Sequence, residues 1–243
     1  MSEAARRAAY LGALGIDRWV PRRPTPVAPQ PVAAAVSSPL AVSSPLAVTA
    51  PEGLADGWDA LEEQVRDCRR CALHQGRTQT VFGSGSRAAE WMVVGEAPGE
   101  EEDRQGKPFV GASGQLLTAM LAAIGLSRDG VFIANIVKCR PPGNREPRPE
   151  EAAACSDHLG RQVGLLRPRL ILAFGKVAAQ SLLGSEATVG SMRGTVHRFG
   201  PLNTPVVVTY HPAYLLRSPG EKRKAWEDLK FARQMFADLP PRD

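Results

Sequence analysis

Four cysteines are the residues of this chain whose type and spacing point most directly to chemistry. Cys68 and Cys71 form a C-x-x-C pair, and Cys139 and Cys155 follow later in the chain. No signal peptide and no long apolar run is recognisable, so we expect a cytoplasmic protein in which thiols stay reduced. Four thiolates in that setting indicate a metal site, and their spacing fits zinc and an iron–sulfur cluster equally. The alternative is four buried free cysteines and a chance C-x-x-C.

A proline-rich basic loop, RPPGNREPR at 140–148, lies between the last two cysteines. A metal held on both sides would fix this loop, and Arg140, Arg145 and Arg148 could then contact a phosphate backbone. The alternative is a solvated surface loop. The net charge of +5 is compatible with nucleic acid binding but does not establish it.

Several polar residues follow apolar segments and could act on a substrate. Asn135 offers both a donor and an acceptor, and His211 could stabilise a developing anion. Each also has a structural interpretation, as a strand cap or a packed histidine. The turn Gly95–Gly99 can bring backbone N–H groups close to a ligand. The acidic run at 100–103 could supply a general base or simply begin a solvated helix.

These residues must be positioned by an alternation of strands and helices. This order predicts an α/β fold with three α/β/α layers and a central, mainly parallel, four-stranded sheet. In such sheets the active site lies beyond the carboxyl ends of the strands. The predicted strands are 91–99 with its turn, 131–139, 170–175 and 205–212, and the predicted helices are 114–125, 149–166, 176–184 and 223–239.

The composition divides the chain into three parts. Residues 1–24 predict a short amphipathic helix that needs a partner, because so short a helix is marginal alone. Residues 25–53 are rich in proline, alanine and serine and contain the repeat AVSSPL, which is typical of a disordered linker. Residues 54–243 form the predicted main domain.

Four motifs together resemble the family 4 uracil-DNA glycosylases, the type that carries an iron–sulfur cluster. They are CRRC, GEAPGEEEDRQGKPFVGASGQLL at 95–117, ANIVKCRPPGNR and HPAYLLR at 211–217. The resemblance spans about residues 58–235 and implies a uracil-DNA glycosylase-like fold. It implies hydrolysis of the N-glycosidic bond of uracil in single- and double-stranded DNA, which leaves an abasic site and starts base excision repair. It also implies a 4Fe-4S cluster on the four cysteines, serving structure and DNA contact rather than chemistry.

The resemblance assigns roles to residues of the base pocket. Asn135 is implied to read uracil, Phe109 to stack on the flipped base, and His211 to stabilise negative charge on the uracil O2. The turn contributes Glu96, Ala97 and Pro98 to substrate binding.

The water-activating residue does not follow from the motif. Ala97 occupies the position where superfamily relatives have an aspartate, and a methyl group cannot polarise water. Glu96 is our first candidate and Glu102 our second, with Asp103 as a further possibility. The chain also lacks the inserted histidine loop through which some relatives trap the sugar, so we expect ordinary hydrolysis.

The segment after His211 is implied to enter the minor groove and fill the gap left by the flipped base. Leu215 and Leu216 would form an apolar wedge beside the cation of Arg217. The alternative is a loop packed on the core.

The stretch RRAAYLGALGIDRWVPRRP at 6–24 resembles the N-terminal segment of the psi subunit of bacterial DNA polymerase III, which binds the chi subunit. We therefore predict that residues 1–24 bind chi and tether the enzyme to replication. The alternative is a tail helix that docks on its own domain. Uracil-containing DNA is the other expected partner, and we expect a monomer with no membrane contact, associated with the nucleoid through DNA.

Overall fold

The computed structural model of the chain describes residues 57–241. The predicted helical segment 1–24 and the predicted linker 25–53 lie outside these residues. Within the part described, no helix has the length and apolar character needed to cross a membrane.

A six-stranded sheet forms the centre of the fold, in the order β1-β3-β2-β4-β6-β5. The inner four strands run parallel, and each edge strand pairs antiparallel to its neighbour. The α/β class and the mainly parallel sheet are confirmed, but the count of four strands was wrong. The strands are β1 Ser84–Gly85, β2 Trp91–Gly95, β3 Phe132–Asn135, β4 Leu170–Phe174, β5 Val196–Phe199 and β6 Thr204–Thr209.

The two missed strands lie at the edges, where the apolar pattern is weakest. β1 has only two residues, and β5 reads VHRF with one side partly open to solvent. Edge strands are often short and polar because an exposed apolar edge invites aggregation. Neither strand therefore shows the apolar run that predicts a buried strand.

Eight helices flank the sheet in the described part of the chain. The helix predicted at 149–166 has those bounds in the structure, and three other predicted helices are displaced by at most two residues. The helices α1, α6 and α7 were not predicted. The helices are α1 Trp58–Arg66, α2 Glu100–Gln105, α3 Ala112–Ala123, α4 Pro149–Leu166, α5 Lys176–Leu183, α6 Val189–Met192, α7 Pro212–Arg217 and α8 Lys222–Asp238.

Two apolar cores lie on opposite faces of the sheet. Along β2, Met92 and Val94 belong to the core with α1, α4 and α5, whereas Trp91 and Val93 belong to the core with α3 and α8. This alternation is the two-residue period of a strand buried on both faces. Each fully buried large apolar side chain contributes about 1.5–3 kcal/mol, so the two cores stabilise the sheet that carries the strand ends.

The carboxyl ends of the parallel strands meet at one edge of the sheet. Gly95 at the end of β2 pairs with Asn135 at the end of β3, and Phe174 of β4 pairs with Thr209 of β6. The strands predicted at 131–139 and 205–212 therefore end earlier than expected. In the second case Pro212 already begins α7.

Candidate active site and four-cysteine site

Asn135, Phe109 and Gly95 converge at the carboxyl edge of the sheet. A Cβ on Gly95 would lie 2.5 Å from the Asn135 Oδ1 and 2.5 Å from the Phe109 ring, so only glycine fits here. The Asn135 Oδ1 is buried and has no hydrogen-bond partner among the described residues. An unpaired buried acceptor is costly, so its partner is expected to be a ligand or water.

The loop that carries Phe109 is held by Glu102. The Glu102 carboxylate accepts hydrogen bonds from the backbone N–H groups of Val110 at 2.9 Å, Gly111 at 3.3 Å and Gly99 at 3.1 Å. Phe109 itself has a φ of 54°, which a non-glycine residue adopts only when its surroundings enforce it. Glu102 thus joins the turn after β2 to the strained Phe109 loop.

His211 lies next to Phe109, with ring centroids 5.4 Å apart and planes tilted by 28°. The His211 Nδ1 accepts a hydrogen bond from the Ala213 N–H at 3.2 Å, which leaves Nε2 as the protonated nitrogen of the neutral ring. Burial lowers the pKa of His211 to about 4, and Arg217 adds to this. His211 is therefore a neutral donor at physiological pH.

Glu96 follows Gly95 in the turn and is partly exposed. Burial raises its pKa to about 7, with a further increase from Glu146 and an opposing effect of Lys176. Its carboxylate accepts no hydrogen bond from residues 57–241. A carboxylate with this pKa and free oxygens has the properties of a general base near neutral pH.

The other turn and helix residues differ in their surroundings. Ala97 packs against the core beside a buried Pro98. Asp103 is 2% exposed and accepts hydrogen bonds from the Thr78 and Gln79 N–H groups. In the acidic run at 100–103 the first two side chains are therefore exposed to solvent. The last two are buried and each accepts hydrogen bonds from the backbone of a neighbouring loop.

The four cysteines line one cavity between α1 and α4. All four are free thiols, and Cys139 and Cys155 are buried. Burial raises the pKa of the Cys139 thiol to about 11, although Arg77 opposes this. No three His, Cys, Asp or Glu side chains of the described residues are close enough to hold a single metal ion.

Positive and polar groups face the same cavity. The Arg77 Nη1 donates to the Cys139 Sγ at 3.0 Å, which would favour a thiolate there. His158 lines the cavity, is 4% exposed, and has no hydrogen-bond partner for either ring nitrogen within the described chain. Lys138 also lines the cavity and is 1% exposed. Burial lowers its pKa to about 8, and Cys155 and Cys139 oppose that decrease.

The arginines of the basic loop are more constrained than the sequence suggested. Both terminal nitrogens of Arg145 donate to the Glu151 carboxylate, at 2.8 and 2.7 Å. Arg140 donates to Asn144 at 2.8 Å and to Glu100 at 3.3 Å. These pairs fix the loop, and Arg148 is left as its more exposed cation.

The predicted wedge forms the short helix α7, which requires a correction. Leu215 is 1% exposed and belongs to the core, so it cannot insert into DNA from this position. Leu216 and Tyr214 are exposed at 44% and 37%, and Arg217 is also exposed. Successive residues of a helix point in different directions around its axis, so neighbouring leucines can differ in exposure, and the sequence motif alone does not reveal which one is exposed.

Several residues around the base pocket and the four-cysteine cavity were not predicted from the sequence. Lys138 and Gln162 form a buried polar pair, and Arg77 contacts a cysteine. Arg193 and Thr209 both donate to the buried Asp228 at 2.7 Å, which ties the end of β6 to α8. Only Lys138 could have been recognised from the sequence, because a charged residue within the apolar run VFIANIVKC must be buried with a polar partner.

Comparison with known proteins agrees with this geometry. A profile of the Uracil DNA glycosylase superfamily matches residues 82–230. A type-4 uracil-DNA glycosylase from Archaeoglobus fulgidus is 43% identical over 179 residues, covering 71% of this chain and 89% of that protein. One from Thermotoga maritima is 41% identical over 182 residues, covering 73% and 94%. A type-5 uracil-DNA glycosylase from Thermus thermophilus is 33% identical over 177 residues, covering 65% and 76%.

The sheet, the base-pocket residues and the profile match define the class of protein. The chain belongs to the uracil-DNA glycosylase superfamily and, within it, to the type-4 uracil-DNA glycosylases.

Proposed function

We propose that this chain removes uracil from DNA by hydrolysing the bond between the base and deoxyribose, the first step of base excision repair. The observation that carries the proposal is the buried Asn135 Oδ1, which has no partner among the described residues and lies beside Phe109. Uracil N3–H would satisfy that acceptor, and the Asn135 amide N–H would bind O4. Phe109 supplies a ring on which the flipped base stacks.

His211 stabilises the leaving group. Cleavage of the glycosidic bond leaves positive charge on the sugar and negative charge on uracil O2. The neutral His211 ring donates from Nε2, because its Nδ1 is occupied by the Ala213 N–H. A neutral donor needs no proton uptake before each turnover, which suits a histidine whose pKa lies near 4.

Glu96 activates the attacking water in this proposal, and Glu102 positions the pocket. Glu96 has free carboxylate oxygens and a raised pKa, whereas both Glu102 oxygens accept backbone N–H groups. Glu102 is therefore assigned to holding Phe109 rather than to proton transfer. Ala97 and Pro98 shape the wall of the pocket.

The four cysteines hold a 4Fe-4S cluster in this proposal, and the residues present fit that group. The four thiols line one cavity, and four thiolates suit both zinc and an iron–sulfur cluster. The resemblance to the family 4 enzymes favours the cluster. Arg77 can donate to sulfur, and so can the single N–H of the His158 ring, which is neutral because burial lowers its pKa to about 4. When bound, the cluster supplies a rigid, negatively charged cross-link between the loop after α1 and the basic loop.

DNA contact is proposed for two surfaces. Leu216 with Tyr214 forms the apolar wedge, and Arg217 is its cation. Arg140 and Arg145 are held by carboxylates, so we assign them to shaping the basic loop and give the phosphate contact chiefly to Arg148.

The test is a nicking assay with alkali on a labelled oligonucleotide that carries one uracil. We expect strand scission after alkali only with uracil present, in both single- and double-stranded substrates. A panel of other damaged bases on the same oligonucleotide measures specificity. No scission above the background of a His211→Leu variant would contradict the proposal.

We also propose that residues 1–24 bind the chi subunit, on the basis of the sequence resemblance alone. A peptide of residues 1–24 should retain purified chi, and the same peptide with Trp19→Ala should retain less. If neither peptide retains chi, this part of the proposal is contradicted.

A further inference from the structure

Lys138 occupies an unusual position between the two sites. Its side chain is fully buried, and its Nζ donates to the Asn135 backbone oxygen at 2.9 Å and to the Gln162 Oε1 at 2.6 Å. Gln162 is anchored in turn, because its Nε2 donates to the Phe82 oxygen at 2.9 Å. Lys138 thus holds the main chain of Asn135, the residue whose side-chain amide is proposed to bind uracil.

The partners of Lys138 leave its charge unbalanced. Both acceptors are neutral, and no carboxylate of residues 57–241 pairs with its ammonium. A buried ammonium without a counter-charge is strongly unfavourable. Its third N–H has no acceptor among residues 57–241, and Lys138 is one of the residues that line the cavity of the four cysteines. The thiolates of a bound cluster would supply the missing negative charge.

We propose that Lys138 is a positioning residue that couples the four-thiolate group to uracil recognition. The negative cluster holds the ammonium in place, and the ammonium fixes the Asn135 main chain so that its amide meets the uracil edge. This inference rests on the proposed function, since it concerns how that site is held. It gives the four-cysteine site a role in substrate affinity besides its structural one.

The test compares Lys138→Met with the unaltered full-length chain, both carrying the cluster. The first readout is the inhibition constant of free uracil, measured on uracil release. The second is the rate of cluster loss in the presence of a chelator, followed by the absorbance of the cluster near about 400 nm. We expect the inhibition constant of uracil to rise roughly tenfold, the effect of losing one charged hydrogen bond. The absorbance should decay several times faster, and kcat should change less than the inhibition constant.

Three further variants separate this role from general destabilisation. Gln162→Leu keeps the cation but removes one acceptor, so it should move both readouts in the same direction and serves if Lys138→Met does not fold. Arg77→Met removes a cation that contacts Cys139 but not Asn135, so cluster loss should accelerate with a smaller change in uracil inhibition. Lys230→Met removes an exposed lysine on α8 and should leave both readouts unchanged.

The outcomes are distinguishable from failure of the proposed function. If the unaltered chain releases no uracil, the glycosylase proposal itself is contradicted. If it releases uracil and Lys138→Met retains the same inhibition constant with a full cluster, the coupling role is overturned. Equal effects of Arg77→Met and Lys138→Met on uracil inhibition would also overturn it, because contact with Asn135 would then be irrelevant.

Discussion

At the scale of single residues, the protonation state of His211 follows from one backbone contact. The Ala213 N–H occupies Nδ1, and burial holds the pKa near 4, so the ring is neutral with its proton on Nε2. We predict that His211→Leu lowers kcat by about 10²–10³, the typical cost of removing one donor to a developing oxyanion. Single-turnover uracil release measures this.

The pH dependence provides a second check on His211. A ring with a pKa near 4 stays neutral as the pH falls from 8 to 5, so its protonation should not reduce activity in that range. A loss of activity near pH 6.5 that disappears in His211→Asn would contradict the assignment.

Glu96 gives the opposite expectation, because its raised pKa lies within the working range. The base form predominates above pH 7, so kcat should fall as the pH decreases through about 7. We predict that Glu96→Gln removes most activity and this pH dependence while binding to uracil-containing DNA is retained. Near-normal turnover of the variant would exclude Glu96 as the base.

The same shift has a consequence for stability with a defined sign. Native Glu96 keeps its proton up to about pH 7, whereas the unfolded chain releases it near 4.5. Between about pH 4.5 and 7 only the unfolded chain gains from releasing this proton, so stability falls as the pH rises through that interval and stays lower above it. Glu96→Gln should raise the Tm relative to the unaltered chain at pH 8 but not at pH 4, measured by thermal denaturation.

At the scale of elements, α2 holds two loops through its carboxylates. The three N–H groups that Glu102 accepts span the turn after β2 and the strained Phe109 loop. We predict that Glu102→Gln destabilises the protein by about 1–3 kcal/mol, because buried N–H groups lose a charged acceptor. Denaturant unfolding measures this.

The neighbouring Glu101 offers a matched control on the same helix. It is exposed, and among residues 57–241 it pairs with Arg104 and Gln105 at the surface, so Glu101→Gln should leave stability nearly unchanged. If both variants behave alike, the anchoring role of Glu102 is not supported.

Helix α7 presents one apolar side to the core and another to solvent. Leu215 is buried and Leu216 is 44% exposed, so of these two leucines it is Leu216 that is available to fill a gap in DNA. We predict that Leu216→Ala lowers activity on duplex DNA several-fold more than on single-stranded DNA, which has no stacked gap to fill. The control is Leu202→Ala, since Leu202 is similarly exposed, at 48%, on the turn between β5 and β6. Equal losses on both substrates would count against the wedge.

At the scale of the whole molecule, the four-cysteine site connects segments that are distant in sequence. The cavity is lined from the loop after α1, the segment after β3, and α4. We predict that the purified protein is brown with absorbance near 400 nm (approximately, as expected for such clusters). Cys139→Ser should lose the absorbance and lower the Tm, because a cross-link among three segments is removed. A colourless protein that contains zinc would contradict the cluster.

The sequence by itself determined the fold class, the parallel core strands and the long helices, because these depend on local apolar period and on helix ends. It also selected the polar residues at the strand ends, since charged and amide groups beside apolar runs stand out. The edge strands β1 and β5 escaped it, because edge positions impose no continuous apolar pattern.

Tertiary structure alone decided which of those residues are free to act. The sequence made both Glu96 and Glu102 candidate bases, yet in the structure the Glu96 carboxylate accepts no hydrogen bond from residues 57–241, whereas that of Glu102 accepts three backbone N–H groups. Leu215 and Leu216 are adjacent and identical in type, but on α7 one is buried in the core and the other is exposed to solvent. The contact of Lys138 with Asn135 and Gln162 depends on how β3 and α4 pack. Burial and hydrogen-bond pairing are properties of several segments together, and no local pattern contains them.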